Sequence, residues 1–154
     1  MELKIAEPIA ERVKTTLAPF CDRIEIAGSI RRKKPFVHDV DIVCIPSNQG
    51  QFIYALQQLG KIKMGGQKLI RCEMPEIVLD VYVATPETWA TLLLIRTGST
   101  GHNIMLCSRA KRLGMKLHAD GTGLFQSNNK IAGDTEESIF KALGLEYKTP
   151  DKRE

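Results

Sequence analysis

The stretch GSIRRKKPFVHDVDIVCI, residues 28–45, decides how the chain folds. Its second half, Val37–Ile45, is dense in β-branched residues and reads as a strand. Asp39 and Asp41 stand two apart in that strand, so both carboxylates project from one face. Val40 and Ile42 project from the other face, toward a core. Upstream, Arg23–Ala27 (RIEIA) alternates and reads as a strand that ends at Gly28-Ser29. A Gly-Ser at a strand end offers backbone N–H groups, a hydroxyl and close approach, which are phosphate-binding features. The spacing from Gly28 to Asp39 allows a basic turn and a return along the adjacent strand. That return would set the phosphate cradle beside the two carboxylates.

Read alone, these residues leave alternatives open. Gly-Ser is a common turn, and an Asp-x-Asp can sit on a solvated edge. Two carboxylates about 7 Å apart along one face repel unless a cation lies between them. Mg²⁺ favours such oxygens together with water and phosphate. Asp80 adds to this. It interrupts Glu76–Ala84 (EIVLDVYVA), the clearest strand of the chain, where a lone buried carboxylate is costly without a partner. One strand over from Asp39 and Asp41, it would complete a three-carboxylate, two-metal site for phosphoryl transfer. Otherwise it lies on the solvent face of an edge strand.

Around these strands the pattern is mixed. A helix is predicted over 7–18, with Pro8 in its first turn and Ile9, Val13 and Leu17 inward. Another is predicted over Gln51–Leu59. Short strands follow at Lys61–Met64 and Lys68–Glu73, around Gly65-Gly66. After Ala84 the pattern changes to helices over Glu87–Ile95, 102–112 and 135–143, with a short strand at Met115–Ala119. The tail from Lys148 to Glu154 reads as polar and irregular. A sheet-rich part, 1–85, thus precedes a helix-rich part, 86–154.

Composition fits a globular protein: 43% of its 154 residues are hydrophobic and 26% are charged. No apolar run approaches the roughly 20 residues a bilayer span needs, and the N-terminus has no signal-peptide core. A cytoplasmic location is therefore expected, and no membrane partner. Cys21, Cys44, Cys72 and Cys107 show no metal spacing and read as buried thiols. The net charge of +4 only permits a polyanionic partner. The run Arg31-Arg32-Lys33-Lys34 and the group Arg109, Lys111 and Arg112 are where such a partner would bind.

Gly28-Ser29-Ile30-Arg31-Arg32 followed by Asp39-Val40-Asp41 resembles the signature of family X DNA polymerases, the DNA polymerase beta type. The looser nucleotidyltransferase superfamily shares only the Gly-Ser and the aspartates, so the paired arginine is the more specific part. The resemblance continues through Thr97-Gly98-Ser99 with His102-Asn103, and through Gly123-Leu124-Phe125. It ends with Thr135–Phe140, Leu143–Tyr147, Pro150 and Arg153. These pieces span about residues 20–154 in the family's order.

The resemblance implies an α+β fold. A nucleotidyltransferase palm (1–85), a mixed or antiparallel sheet with helices on one side, would precede a small α/β nucleotide-selecting subdomain (86–154). It implies that Asp39 and Asp41 hold two Mg²⁺ ions, with Mn²⁺ as a substitute. Asp80 would hold the catalytic one and assist deprotonation of the primer 3′-hydroxyl. Ser29 and Arg32 would bind the β- and γ-phosphates, with Gly28 letting the backbone approach. Thr97-Gly98 would turn under the sugar. Asn103 would lie near base and sugar, or else cap its helix. Arg109, Lys111 and Arg112 would contact DNA.

Departures qualify this. The family's aromatic pair is Ile95-Arg96 here, which puts sugar discrimination in question. The arginine common two residues before the third aspartate is Val78, which removes a group that steadies that carboxylate. A frequent minor-groove arginine is Cys107. The family's lyase domain and helix-hairpin-helix clamps are expected to be absent, so DNA binding should fall steeply with salt, and a partner protein could supply a clamp. The expected protein is a minimal DNA-directed polymerase for gap filling, monomeric, taking primer-template DNA and dNTPs, in a prokaryotic or viral setting. A template-independent terminal transferase or another nucleotide-adding enzyme is the alternative, and a non-catalytic nucleic-acid-binding module is a third reading.

Overall fold

The computed structural model describes residues 1–154. Helix α1 (Leu3–Leu17) buries Ala6, Ala10, Val13 and Leu17, a three-and-four spacing that keeps one face on the core. It begins four residues before the predicted start, so Pro8 lies inside the helix and not in its first turn. The cause is a tether. Leu3 N–H donates to Pro35 O and Val37 N–H to Met1 O, both at 2.9 Å, which fixes the chain entry early.

After a 3-10 turn at Ala18–Phe20 come β1 (Cys21–Ala27), a single helical turn α2 (Gly28–Arg31) and β2 (Asp39–Pro46). Helix α3 (Gln49–Leu59) follows, its first turn capped by the Asn48 side chain, which accepts from Gln51 N–H. Strands β3 (Lys61–Gly65), β4 (Leu69–Glu73) and β5 (Val78–Val83) complete a five-stranded sheet in the order β1-β2-β5-β4-β3. Only the β2–β5 pair is parallel; the others are antiparallel.

One sheet face carries Val40, Ile42, Leu79, Val81, Ile70 and Cys72. It packs with α1 and with Phe52 and Leu56 of α3 in the largest core cluster. The other face carries the aspartates. Helix α4 (Trp89–Thr97) packs on that face, where Trp89, Ala90, Leu92 and Leu93 meet Ala27 and Val43, with Tyr82 of β5 beside them.

The C-terminal elements are α5 (Thr100–Arg112), β6 (Lys116–His118), β7 (Gly123–Gln126), β8 (Asn129–Ala132) and α6 (Glu136–Ala142). Leu94, Leu106, Leu117, Leu124, Ile139 and Phe140 form their core. The tail is irregular as expected apart from one turn. Pro150–Lys152 makes a 3-10 turn and Arg153 is fully buried. A buried guanidinium needs a counter-charge, and Glu136 supplies it: Arg153 Nη1 donates to Glu136 Oε2 at 2.8 Å. Arg153 also lies over the rings of Phe140 and Tyr147. No helix is long and apolar enough to cross a membrane. Of the thiols, Cys44 and Cys72 are buried as expected, Cys21 is half-buried and Cys107 is exposed on α5.

Candidate active site

The parallel register of β2 and β5 sets Asp41 opposite Asp80 and Asp39 opposite Val78. Alternation then puts all three carboxylates on the face away from α1 and α3. One oxygen from each of Asp39, Asp41 and Asp80 lies within 4.8 Å of the others. Asp80 is buried and the other two are half-buried. Three carboxylates this close cannot all stay ionised cheaply. Burial first, then the charge of Asp39, its hydrogen bond and the charge of Asp80 push Asp41 up to about 8; Arg32 acts in the opposite sense. A donor set of hard oxygens that repel one another suits divalent cations of the Mg²⁺ type.

Asp80 does not stand alone among carboxylates. Arg71 of β4 lies in cross-strand register with it. Arg71 Nε donates to Oδ1 at 2.8 Å and Nη2 to Oδ2 at 3.1 Å. Sequence reasoning missed Arg71, because an exposed arginine in a short strand carries no signal until the strand order is known.

Gly28 opens α2 at φ +62°. The position that a Cβ would take there is filled by the Asp41 carboxylate. The glycine is thus needed to leave room for Asp41. The two arginines of the signature part ways. Arg31 makes a two-pronged pair with Glu136 of α6, at 2.9 and 2.8 Å, and also donates to Thr97 Oγ1 at 2.8 Å. Arg32 donates to the Thr97 carbonyl, and its buried Nε has no partner. The Glu136 carboxyl is pushed up by burial, but Arg31 and Arg153 outweigh this and hold it below the ordinary range.

A cleft of about 290 Å³ joins the two halves. Gly28, Ser29, Arg32, Asp39, Asp41 and Tyr82 line one wall, and Ile95, Arg96, Thr97, Gly98, Thr100 and Asn103 the other. Gly98 has φ +69°, and the peptide to Ser99 is cis. Ser99, not Asn103, caps α5, accepting from His102 N–H at 3.1 Å. Asn103 donates to Ile95 O at 2.9 Å, and its buried Oδ1 has no partner. His102 is buried beneath Phe140; burial, Arg153 and Lys148 lower its pKa to about 4, so it is neutral. The Arg96 guanidinium lies 4.3 Å from the centre of the Tyr82 ring.

The three basic residues expected at DNA are not in this cleft. Arg109 is turned to α6, its Nε donating to Leu143 O at 2.9 Å. Lys111 and Arg112 are exposed in the last turn of α5, where cations suit the helix dipole.

The family description "DNA polymerase beta thumb" matches residues 92–154. The repair DNA polymerase X of African swine fever virus (isolate Pig/Kenya/KEN-50/1950) is 26% identical over 140 residues, covering 84% of this chain and 80% of that protein. DNA polymerase lambda of Rattus norvegicus is 31% identical over 159 residues, covering 82% of this chain and 28% of that protein. The DNA polymerase/3′-5′ exonuclease PolX of Bacillus subtilis (strain 168) is 27% identical over 154 residues, 95% of this chain and 27% of that protein. The fold matches a crystal structure of Leishmania infantum polymerase beta in a ternary P/T complex. That match has a TM-score of 0.84 and 18% identity, and covers 100% of this chain and 76% of that one. On these likenesses the chain belongs to family X of the DNA polymerases and is a nucleotidyltransferase.

Proposed function

We propose that this protein adds deoxynucleotides to a primer 3′-hydroxyl under template direction, as a repair polymerase that fills gaps. The observation that carries the reading is the convergence of Asp39, Asp41 and Asp80 across β2 and β5, at a cleft walled by Ser29, Arg32 and the Thr97-Gly98 turn. Residues 1–85 act as the palm and 86–154 as the nucleotide-selecting part.

Asp39 and Asp41 would hold two Mg²⁺ ions, or Mn²⁺, and Asp80 would hold one of them. Such ions neutralise charge on the attacking and leaving oxygens. The reaction forms a bond from the primer 3′-oxygen to the α-phosphorus and breaks the bond to pyrophosphate, which leaves. Asp80 would assist deprotonation of the 3′-hydroxyl. Ser29 and the backbone of Gly28 receive the β- and γ-phosphates. Arg32, already fixed to the Thr97 carbonyl, lends them positive charge at no cost of reorganisation. The unpartnered Oδ1 of Asn103 is free to accept from the nucleotide, and the Thr97-Gly98 turn lies under the sugar.

The test is extension of a labelled primer on gapped, templated and single-stranded DNA, with dNTPs and rNTPs offered separately and with Mg²⁺ or Mn²⁺. Templated, dNTP-dependent addition that Asp80→Ala abolishes is expected. Addition to single strands alone would make the protein a terminal transferase, and no addition under either metal would overturn the enzyme reading.

A further inference from the structure

The geometry points to Arg71 as the residue that positions the third carboxylate, supplied from the neighbouring strand β4 and not from β5 itself. The inference rests on the reading of Asp80 as a metal ligand. Asp80 is 3% exposed and lies within 4.8 Å of two further carboxylates. A carboxylate so placed has every electrostatic reason to swing away from the other two. On its own strand nothing prevents this, because two residues earlier on the same face stands Val78, and the next same-face residue in the other direction is Tyr82. Across the strand pair, however, Arg71 is the register partner of Asp80.

The contact is a fork. Nε and Nη2 each take a different oxygen of Asp80. Two parallel N–H···O bonds fix the plane of the carboxylate as well as its position. Each carboxylate oxygen has two lone-pair directions, so one on each remains for the cluster of Asp39 and Asp41. Arg71 has no hydrogen bond to either of those two, and it therefore acts on the third carboxylate selectively. Its side chain is 47% exposed, so its position is set by this pair and not by core packing.

A residue that merely holds the fold together and a residue that aims a ligand differ in what lysine can replace. Lysine keeps the charge but not the fork. The test uses the whole chain, with wild type, Arg71→Met, Arg71→Lys, Asp80→Asn and the Arg71→Met/Asp80→Asn pair. For Arg71→Met, steady-state primer extension should show kcat down by about 10- to 100-fold, the scale expected of a misplaced group. KM for the nucleotide should change less than about twofold, since the phosphate contacts are elsewhere. For Arg71→Lys, thermal melting without metal should match wild type to within about 2 °C while kcat stays at least about fivefold low. In the melting experiment Arg71→Met should cost several degrees, and the double variant should recover most of them, because Asp80→Asn removes the charge left uncompensated.

Equal kcat in Arg71→Met and wild type would overturn the inference, as would full recovery of kcat by lysine or melting effects that simply add. Should Arg71→Met fail to fold, the kcat of Arg71→Lys decides alone. If wild type extends no primer, it is the polymerase reading that falls. If wild type extends normally and the variants match it, only the role of Arg71 falls.

Discussion

Gly28 and Asp41 share one small volume: the Asp41 carboxylate fills the position a Cβ on residue 28 would take. The backbone there is also left-handed, at φ +62°, which costs an alanine about 1–2 kcal/mol. Gly28→Ala must therefore displace Asp41. Primer extension should fall by about 100-fold or more, with melting lowered by only a few degrees. Activity within about tenfold of wild type would mean that Asp41 has another productive position.

Proton and cation compete for Asp41. Its pKa is raised to about 8, so in the metal-free protein it keeps its proton below that pH. Metal binding must release that proton, and affinity for Mg²⁺ should rise about tenfold per pH unit up to about pH 8 and then level off. The sign for stability is the reverse. An unfolded aspartate titrates at about 4, so between about pH 4 and about pH 8 the folded chain binds more protons and metal-free stability falls as pH rises. Asp41→Asn should flatten that slope. Calorimetric titration with Mg²⁺ at several pH values, and urea unfolding in chelator, check both halves.

Glu136 holds two buried or half-buried guanidiniums, Arg31 and Arg153. Glu136→Gln leaves both without counter-charge and should cost about 3 kcal/mol in urea unfolding. Its carboxyl is held below the ordinary range, so its contribution is present above the unfolded value of about 4 and is lost as pH falls through the folded one. The acid limb of the wild-type stability curve should be steep, and that of Glu136→Gln shallower. Unchanged acid limbs would mean that the joint contributes nothing.

Arg96 stands where the family carries an aromatic, stacked on Tyr82 in the wall of the cleft. Replacing Ile95-Arg96 with Tyr-Phe should restore bulk beneath the sugar and raise the preference for dNTP over rNTP by about tenfold, the scale one packing contact supplies. The ratio of kcat/KM values for the two nucleotides measures it. No change would place sugar choice elsewhere.

Much of the site is legible in the amino-acid sequence. Asp39, Val40, Asp41 and Ile42 alternate so regularly that the side chains of β2 can be assigned to faces directly, and Asp80 is conspicuous as a charge inside an apolar run. What stays hidden depends on register between distant segments. Arg71 looks like any exposed arginine until β4 is placed beside β5. Arg153 sits in a polar tail that reads as irregular, and its burial makes sense only beside Glu136, Phe140 and Tyr147. Strand β8 escapes because Asn129, Lys130 and Ile131 are all exposed, so no alternation marks it. The bond from Arg109 to the Leu143 carbonyl is hidden too, since a cluster of basic residues does not reveal which cation has a carbonyl in reach.

The order of strands has a temporal meaning as well. Strand β5 lies between β2 and β4, and both precede it in the chain. A ribosome therefore delivers the two flanking strands first, and the central one must slot between edges already made. Until it does, the chain holds one pair of carboxylates and no third. Such late, non-local pairing is the slow class of folding event, and the divalent site comes into being only with it. Cations should thus leave early folding untouched and slow the departure of β5, which makes the rate of unfolding, and not the rate of refolding, the quantity that responds to Mg²⁺.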